Sequence, residues 1–208
     1  MLRKNFISLF VLAVVVIPFA AFTAVQWYES TYTKLPVYGG DDHTISDFKM
    51  INQQGETVSI KNWVNKIVVV DFFFTHCPSV CPKMTKNLVV VQQQFKDDPH
   101  FQMASFSVDP ERDSSKRLAF YATQFGINGA NWNLLTGDKK EIYRLARKSF
   151  LVSATDGDGG PNDFIHSDQL VLVDTQKRIR GFYDGTEKSA VAQLINDIKK
   201  LQKEEALN

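Results

Sequence analysis

The sequence predicts an α/β fold in which a mixed central sheet is flanked by helices. One observation is a near-continuous run of β-branched and aromatic residues, which is typical of a strand buried on both faces. The other is the order of strands and amphipathic helices that follows, which fits a single layered domain. With 208 residues, 23% of them charged and 44% hydrophobic, the chain is long enough and apolar enough for one substantial core.

An uncharged, mostly apolar stretch at residues 6–25 precedes this domain. A helix of about 20 residues spans the roughly 30 Å hydrocarbon core of a bilayer. Arg3 and Lys4 lie before the stretch, and the positive-inside rule then places the rest of the chain outside the cytoplasm. We therefore predict a transmembrane signal anchor at 1–26, a tether at 27–42 and an exported domain at 43–208. A cleaved signal peptide is the alternative, and it also exports the domain.

The elements of the domain follow from periodicity. Residues 66–74 form the buried strand, and residues 101–108 repeat its pattern. Residues 82–95 place apolar side chains on one helical face, and 114–125 form a second helix that Gly126 ends. The other predicted elements are a hairpin at 44–50 and 57–60, a strand at 132–135, a helix at 139–150, a hairpin at 169–174 and 178–183, and a helix at 186–205.

Charge and cysteine content narrow the functional classes. The formal net charge of +1 gives no basic excess for nucleic acid. The only two cysteines, Cys77 and Cys81, lie in one short motif. A disulfide closing so short a loop constrains little of the unfolded chain, so a purely stabilising bridge explains the pair poorly. A functional pair is the better interpretation.

The motif lies where the buried strand ends and a helix begins. Ligand and reaction sites in open α/β sheets gather at such strand ends. A helix N-terminus favours anions, so it stabilises thiolates, which are both metal ligands and nucleophiles. The C-x-x-x-C spacing of Cys77 and Cys81 permits two sulfurs around one ion and also permits a disulfide. Metal binding and redox chemistry both remain open from these residues.

The segment Thr75-His76-Cys77-Pro78-Ser79-Val80-Cys81-Pro82 resembles the signature of the Sco (SenC/PrrC) copper proteins. Residues 107–113 resemble that family's segment after the second core strand. His166 lies in the segment 164–168, where the family has a distal histidine just before a late strand. The resemblance covers about 43–201 and implies a thioredoxin-like fold.

The resemblance implies that Cys77, Cys81 and His166 are metal ligands. Two thiolates and one imidazole suit Cu(I), and they hold Cu(II) when a fourth ligand is present. Zinc accepts the same set, so the family rather than the ligand chemistry selects copper. A Gly- and Asp-rich loop at 153–163 is expected to let His166 swing in when copper binds.

The implied function is assembly of the binuclear copper centre of cytochrome c oxidase. The expected partners are the copper-bearing oxidase subunit, other copper chaperones, and a bacterial inner membrane that the chain crosses once with its domain in the periplasm. The alternative is a membrane-anchored thiol–disulfide oxidoreductase that reduces the cysteines of the oxidase copper site through Cys77 and Cys81. A thiol peroxidase is disfavoured, because Phe74 and Val70 replace the residues that such enzymes place before the reactive cysteine.

Several other polar residues have two interpretations. Asp71 either transfers protons beside the thiols or fills a polar pocket of its strand. Asp109 either supports the site from a second sphere or caps the next turn. His76 is expected to point away from the metal, and His43 and His100 are expected at the surface.

Overall fold

The structure, a computed structural model, describes residues 10, 12–32, 34–40, 42–152 and 167–206. It divides into two compact units, Met1–Lys34 and Leu35–Asn208. The boundary lies earlier than the domain start predicted at 43, because residues 35–38 already contact the sheet of the second unit.

The first unit is helical where it is described. A π-helical turn, Leu12–Val16, leads into helix α1, Ile17–Tyr32. The large apolar side chains described from Phe10 to Val25 are exposed. Among the helices of the described part of the chain, none combines the length and apolar character needed to cross a bilayer. The anchor at 1–26 therefore stays a prediction.

The second unit is built on a seven-stranded mixed sheet. Its strands are β1 Lys49–Asn52, β2 Thr57–Ser59, β3 Ile67–Phe73, β4 Phe101–Ser107, β5 Trp132–Thr136, β6 Gln169–Val173 and β7 Ile179–Asp184. They lie in the order β2-β1-β5-β4-β3-β6-β7. The central β3, β4 and β5 are parallel, and the outer strands pair antiparallel. The predicted mixed sheet is confirmed.

Helices cover both faces of this sheet. They are α2 Val80–Gln94, α3 Ser115–Phe125, α4 Lys139–Arg144 and α5 Lys188–Ala206, with a 3₁₀ turn at Ile60–Trp63. As predicted, α3 ends at Gly126, whose φ of 68° is left-handed. The helix predicted at 139–150 is α-helical only in α4 and continues as a π-helical turn, Leu145–Ser149.

The first hairpin is shorter than predicted because the backbone before β1 bonds elsewhere. The amide of Ile45 donates to the carbonyl of Lys177, 2.8 Å away, in the β6–β7 turn. The amide of Ser46 donates to the hydroxyl of Ser149 at 2.8 Å. Pairing with β2 therefore begins only at Lys49.

The sheet separates two apolar cores. Side chains alternate across a strand, so Val68, Val70 and Phe72 of β3 face one core with the first hairpin and α4. Val69 and Phe73 face the other core, with α2, α3 and α5. Every residue of β3 is buried, as its composition predicts. Cys81 lies in the second core, so β3 residues of odd number share its side of the sheet.

The chain enters this unit along the outer edge of β7, in a segment that we call the edge strap, residues 35–38. The amide of Tyr38 donates to the carbonyl of Ile179 at 3.0 Å. The buried guanidinium of Arg180 donates to the carbonyl of Leu35 at 2.7 Å and to the carboxylate of Glu204, in α5, at 2.7 Å. The strap is thus fixed to both the sheet and the last helix.

Candidate metal centre

The two cysteines lie at the carboxyl end of β3, as predicted. Cys77 is half-buried in the loop that follows the strand, and Cys81 is buried at the second position of α2. Both thiols are free. They border a cleft of about 380 Å³. Its lining residues are Phe72, Phe74, Cys77, Pro78, Ser79, Val80, Cys81, Ser167 and Asp168.

Cys77 has the more acidic thiol. Burial raises its pKa, but hydrogen bonds from the backbone of Cys81, Ser79 and Val80 and from the Cys81 side chain together hold the pKa below the usual value. The amide of Cys81 lies 3.3 Å from the Cys77 sulfur. Amides in the first turn of a helix lack intrahelical partners, so the start of α2 supplies these donors.

Cys81 has the opposite character. Burial, together with the nearby Cys77 and Asp71, raises the pKa of its thiol to about 12, and a hydrogen bond from the backbone of Phe74 only partly offsets this rise. The pair therefore combines one accessible thiol that ionises readily with one protected thiol that does not.

Asp71 is buried, and the alternation of side chains along β3 places it on the same side of the sheet as Cys81. Burial raises the pKa of its carboxyl group to about 7, and a hydrogen bond from the Ser105 hydroxyl opposes this rise. Ser105 in turn accepts a hydrogen bond of 2.8 Å from the indole of Trp132. Asp71 therefore fills a polar pocket of its strand, and it also helps to raise the pKa of Cys81. A proton-transfer role beside the thiols stays a prediction.

Tyr121 and Thr85 extend this polar group, and sequence reasoning missed both. Their hydroxyls lie 2.8 Å apart, and Thr85 donates to the carbonyl of Cys81 at 2.8 Å. Burial raises the pKa of the Tyr121 phenol, with contributions from Cys81 and Asp71. Both residues lie on helical faces that look like ordinary core in the sequence, so only packing reveals their position.

The acid that holds the cysteine loop is Asp113 rather than Asp109. The Asp113 carboxylate accepts hydrogen bonds from the Thr75 amide at 3.0 Å and the Thr75 hydroxyl at 2.5 Å. Asp109 is not among the residues that line the cleft, and its carbonyl accepts from the Asp113 amide at 2.9 Å. The backbone carbonyl of Asp109 thus closes the turn that leads to Asp113, and a role for its side chain stays a prediction.

The histidines differ in exposure and in hydrogen-bond partners. His166 lies outside the described residues, as does the loop at 153–163. His76 has a side chain 46% exposed, and its Nδ1 lies 3.2 Å from the Thr75 hydroxyl. His100 is exposed, whereas His43 is half-buried and bonds through Nε2 to the Ser149 carbonyl at 2.8 Å. Within the ranges that the structure describes, no three potential metal-ligating side chains cluster.

The contrast between the two thiols predicts selective modification. In the reduced protein near neutral pH, iodoacetamide should alkylate Cys77 about tenfold faster than Cys81 or more, since the thiolate is the nucleophile and the Cys77 sulfur is accessible. Peptide mass spectrometry of partially alkylated protein measures both rates. Equal rates, or faster reaction at Cys81, would contradict this assignment.

Comparison with protein families identifies one clear relationship. The SCO1/SenC family model matches residues 37–203. The SCO1 protein homolog of Bacillus subtilis (strain 168) is 32% identical over 162 residues, which are 76% of this chain and 82% of that protein. Protein SCO1 homolog 1, mitochondrial, of Arabidopsis thaliana is 29% identical over 140 residues, 65% of this chain but 41% of that longer protein.

Solved structures that resemble this chain belong to the same family. A SCO1/SenC family lipoprotein from Bacillus anthracis superposes with a TM-score of 0.68 at 29% identity, covering 80% of this chain and 99% of that one. BsSco is a member of the Sco family of cytochrome c oxidase assembly proteins and is described as having a disulfide switch. It superposes with a TM-score of 0.68 at 29% identity, covering 81% of this chain and 98% of that one. Arabidopsis thaliana ScoI with copper bound superposes with a TM-score of 0.60 at 26% identity, covering 76% of this chain and 99% of that one. These matches confirm the thioredoxin-like fold, and the chain belongs to the SCO1/SenC family.

Proposed function

We propose that this chain binds copper through Cys77, Cys81 and His166 and helps to assemble the binuclear copper centre of cytochrome c oxidase. The observation that carries the proposal is the arrangement of two free thiols at one cleft, with the Cys77 sulfur facing first-turn amides that lower its pKa. Soft sulfur donors suit Cu(I). A copper-bound Arabidopsis relative and a Bacillus relative of the oxidase assembly family support the choice of metal and process.

His166 is the proposed third ligand. The support is its neighbour along the chain: Ser167 lines the same cleft as both cysteines, and Asp168 does as well. His76 is a poorer candidate, because its Nδ1 is directed toward Thr75 and the buried carboxylate of Asp113, 3.8 Å away. A cysteine pair and one imidazole complete a three-donor set for Cu(I).

In this proposal copper is cargo rather than a resident cofactor. Cys77 is half-buried rather than enclosed. Cys77 supplies the accessible thiolate, and an approaching acceptor reaches the buried Cys81 after Cys77. The proposed acceptor is the copper-bearing oxidase subunit, and other copper chaperones are the proposed donors.

The proposal includes a bacterial inner-membrane location, with residues 1–26 as a single-pass anchor and the domain in the periplasm. Its support is the uncharged stretch at 6–25 behind Arg3 and Lys4. The Bacillus anthracis relative is a lipoprotein. The attachment proposed for this chain is a helix formed by the uncharged stretch at 6–25.

Copper titration of the reduced full chain in mild detergent tests the proposal. One copper per chain is expected, with sulfur-to-copper charge-transfer absorption for Cu(II) that disappears in Cys77→Ser and in Cys81→Ser. Ser79→Ala is the matched control, because it alters the same loop and its side chain makes no helix-capping hydrogen bond. Absence of binding, or an unchanged spectrum in the cysteine variants, would rule out this site.

A thiol–disulfide oxidoreductase is the second candidate, favoured by the opposite pKa shifts of the two thiols. The Cys77 thiolate would attack a client disulfide and release one client thiolate. Cys81, after losing its proton, would then displace the second client thiolate and close the Cys77–Cys81 disulfide. Two electrons pass to the client, which takes up two protons. The disulfide switch described for BsSco is consistent with such a bond.

A further inference from the structure

The most heavily bonded acid near the cysteine loop is Asp113, which lies between β4 and α3 and is fully buried. Its carboxylate accepts three hydrogen bonds. Two come from the amide and hydroxyl of Thr75, and the third comes from the Ser107 hydroxyl at 2.6 Å. A buried carboxylate needs such donors, and bonds to a charged acceptor are among the stronger ones in proteins.

Thr75 connects this acid to the cysteines. It lies two residues before Cys77, at the point where the chain leaves β3, and it is itself buried. The amide of Cys77 then donates to the carbonyl of Phe74 at 3.3 Å, and the amide of Cys81 reaches the Cys77 sulfur at 3.3 Å. A shift of Thr75 would therefore be passed directly to the sulfur of Cys77.

The Thr75 hydroxyl links the cysteine loop to helix α3 and to the turn before it. It donates to Asp113 and accepts a hydrogen bond of 3.1 Å from the Nε of Arg117, on α3. The His76 ring lies 3.2 Å away on its exposed side. The hydroxyl thus donates one hydrogen bond and accepts another. Together these bonds fix the Thr75 rotamer and thereby the direction in which the loop leaves the strand.

We propose that Asp113 and Thr75 form a positioning pair that holds the Cys77 sulfur against the first-turn amides of α2. Neither residue is among those that line the cleft, so both act through the geometry of the loop. Metal ligands and reactive groups depend on such supporting hydrogen bonds for their orientation. The proposal rests on the proposed function for its copper consequence, but the placement of Cys77 is a property of the protein without metal.

Thr75→Val and Thr75→Ser test the pair. Valine has nearly the shape of threonine and lacks the hydroxyl, whereas serine retains it. In the full chain, Thr75→Val should lower the Cu(I) affinity, measured against a chromophoric chelator, by about tenfold, the lower end of what losing a supporting contact costs a metal site. It should also change the alkylation rate of Cys77 by about threefold or more, because the sulfur loses its alignment with the amides. Thr75→Ser should restore both values to within about twofold of the parent.

Ser107→Ala separates positioning from simple loss of stability. It removes one hydrogen bond to the same carboxylate and one from the Asp109 amide, and both bonds from Thr75 to Asp113 remain. It should therefore lower thermal stability yet leave both cysteine readouts near the parent values. Thr123→Val, which removes an exposed hydroxyl from α3, controls for the substitution itself. Equal cysteine readouts for Thr75→Val and the parent, or for Thr75→Val and Ser107→Ala, would overturn the positioning role.

The two readouts also distinguish this inference from the proposed function. If the parent binds no copper but the Cys77 alkylation rate still separates Thr75→Val from Thr75→Ser, the proposed function fails and the positioning role stands. If copper binds equally to all variants and alkylation is unchanged, the positioning role fails and the metal site stands.

Discussion

Replacing His166 with alanine should lower copper affinity by about a hundredfold or more, which corresponds to about 3 kcal/mol of binding free energy. The physical reason is the loss of one of the three proposed donors, which leaves only the two sulfurs to hold the metal. Thiol–disulfide exchange needs only Cys77 and Cys81, so its rate should stay within about twofold of the parent. Competition with a Cu(I) chelator and reaction with a small disulfide measure the two quantities.

His100→Ala is the matched control for this experiment. It removes an exposed imidazole whose Nδ1 bonds to the carbonyl of Asn65 at 3.1 Å, on a loop outside the cleft. Copper affinity should be unaffected. If the His166 variant binds copper as tightly as the His100 variant, His166 is not a ligand. If it loses exchange as well as copper, its effect is on the fold, which circular dichroism would reveal.

Replacing Asp71 with asparagine should stabilise the protein at high pH and have little effect at low pH. The folded-state pKa of Asp71 is about 7, above the ordinary value of 3.8, so the folded state holds the proton more tightly than the unfolded state. The stability that the protonated Asp71 carboxyl group contributes to the folded state is fully present below about pH 4 and is lost as the pH rises toward about 7. The shift amounts to about 4 kcal/mol at most. Asparagine never ionises and its carbonyl still accepts from Ser105.

Chemical denaturation of parent and variant at about pH 4 and about pH 8.5 measures this difference. The variant should gain several kcal/mol relative to the parent between the two conditions. Asp97→Asn, at an exposed position, should leave the pH dependence of stability unchanged. A constant difference between parent and Asp71→Asn at both pH values would show that the buried carboxyl is not protonated as argued.

Local patterns were sufficient to predict the position of the cysteines. The run at 66–74 has the composition of a doubly buried strand, and the helix behind Cys81 has a clear apolar face, so their junction follows from adjacent residues. The same holds for the end of α3 at Gly126 and for the two late strands.

The surroundings of the thiols depend on contacts that the sequence order hides. Asp71 meets Ser105 because β3 and β4 align in parallel register, which periodicity does not specify. Asp113 meets Thr75 across 38 positions of chain. The sequence analysis singled out only Asp109 after this strand, so the role of Asp113 emerges from the fold alone.

The edge strap shows how part of a segment predicted as a tether can belong to a folded unit. Composition marked residues 27–42 as a tether, yet Arg180 holds the carbonyl of Leu35, and Tyr38 pairs with Ile179 along the open side of β7. An uncovered edge strand is a template for pairing with another chain. A recombinant fragment should therefore begin before Leu35, because one beginning at His43 would present bare backbone donors and acceptors to its neighbours and invite self-association.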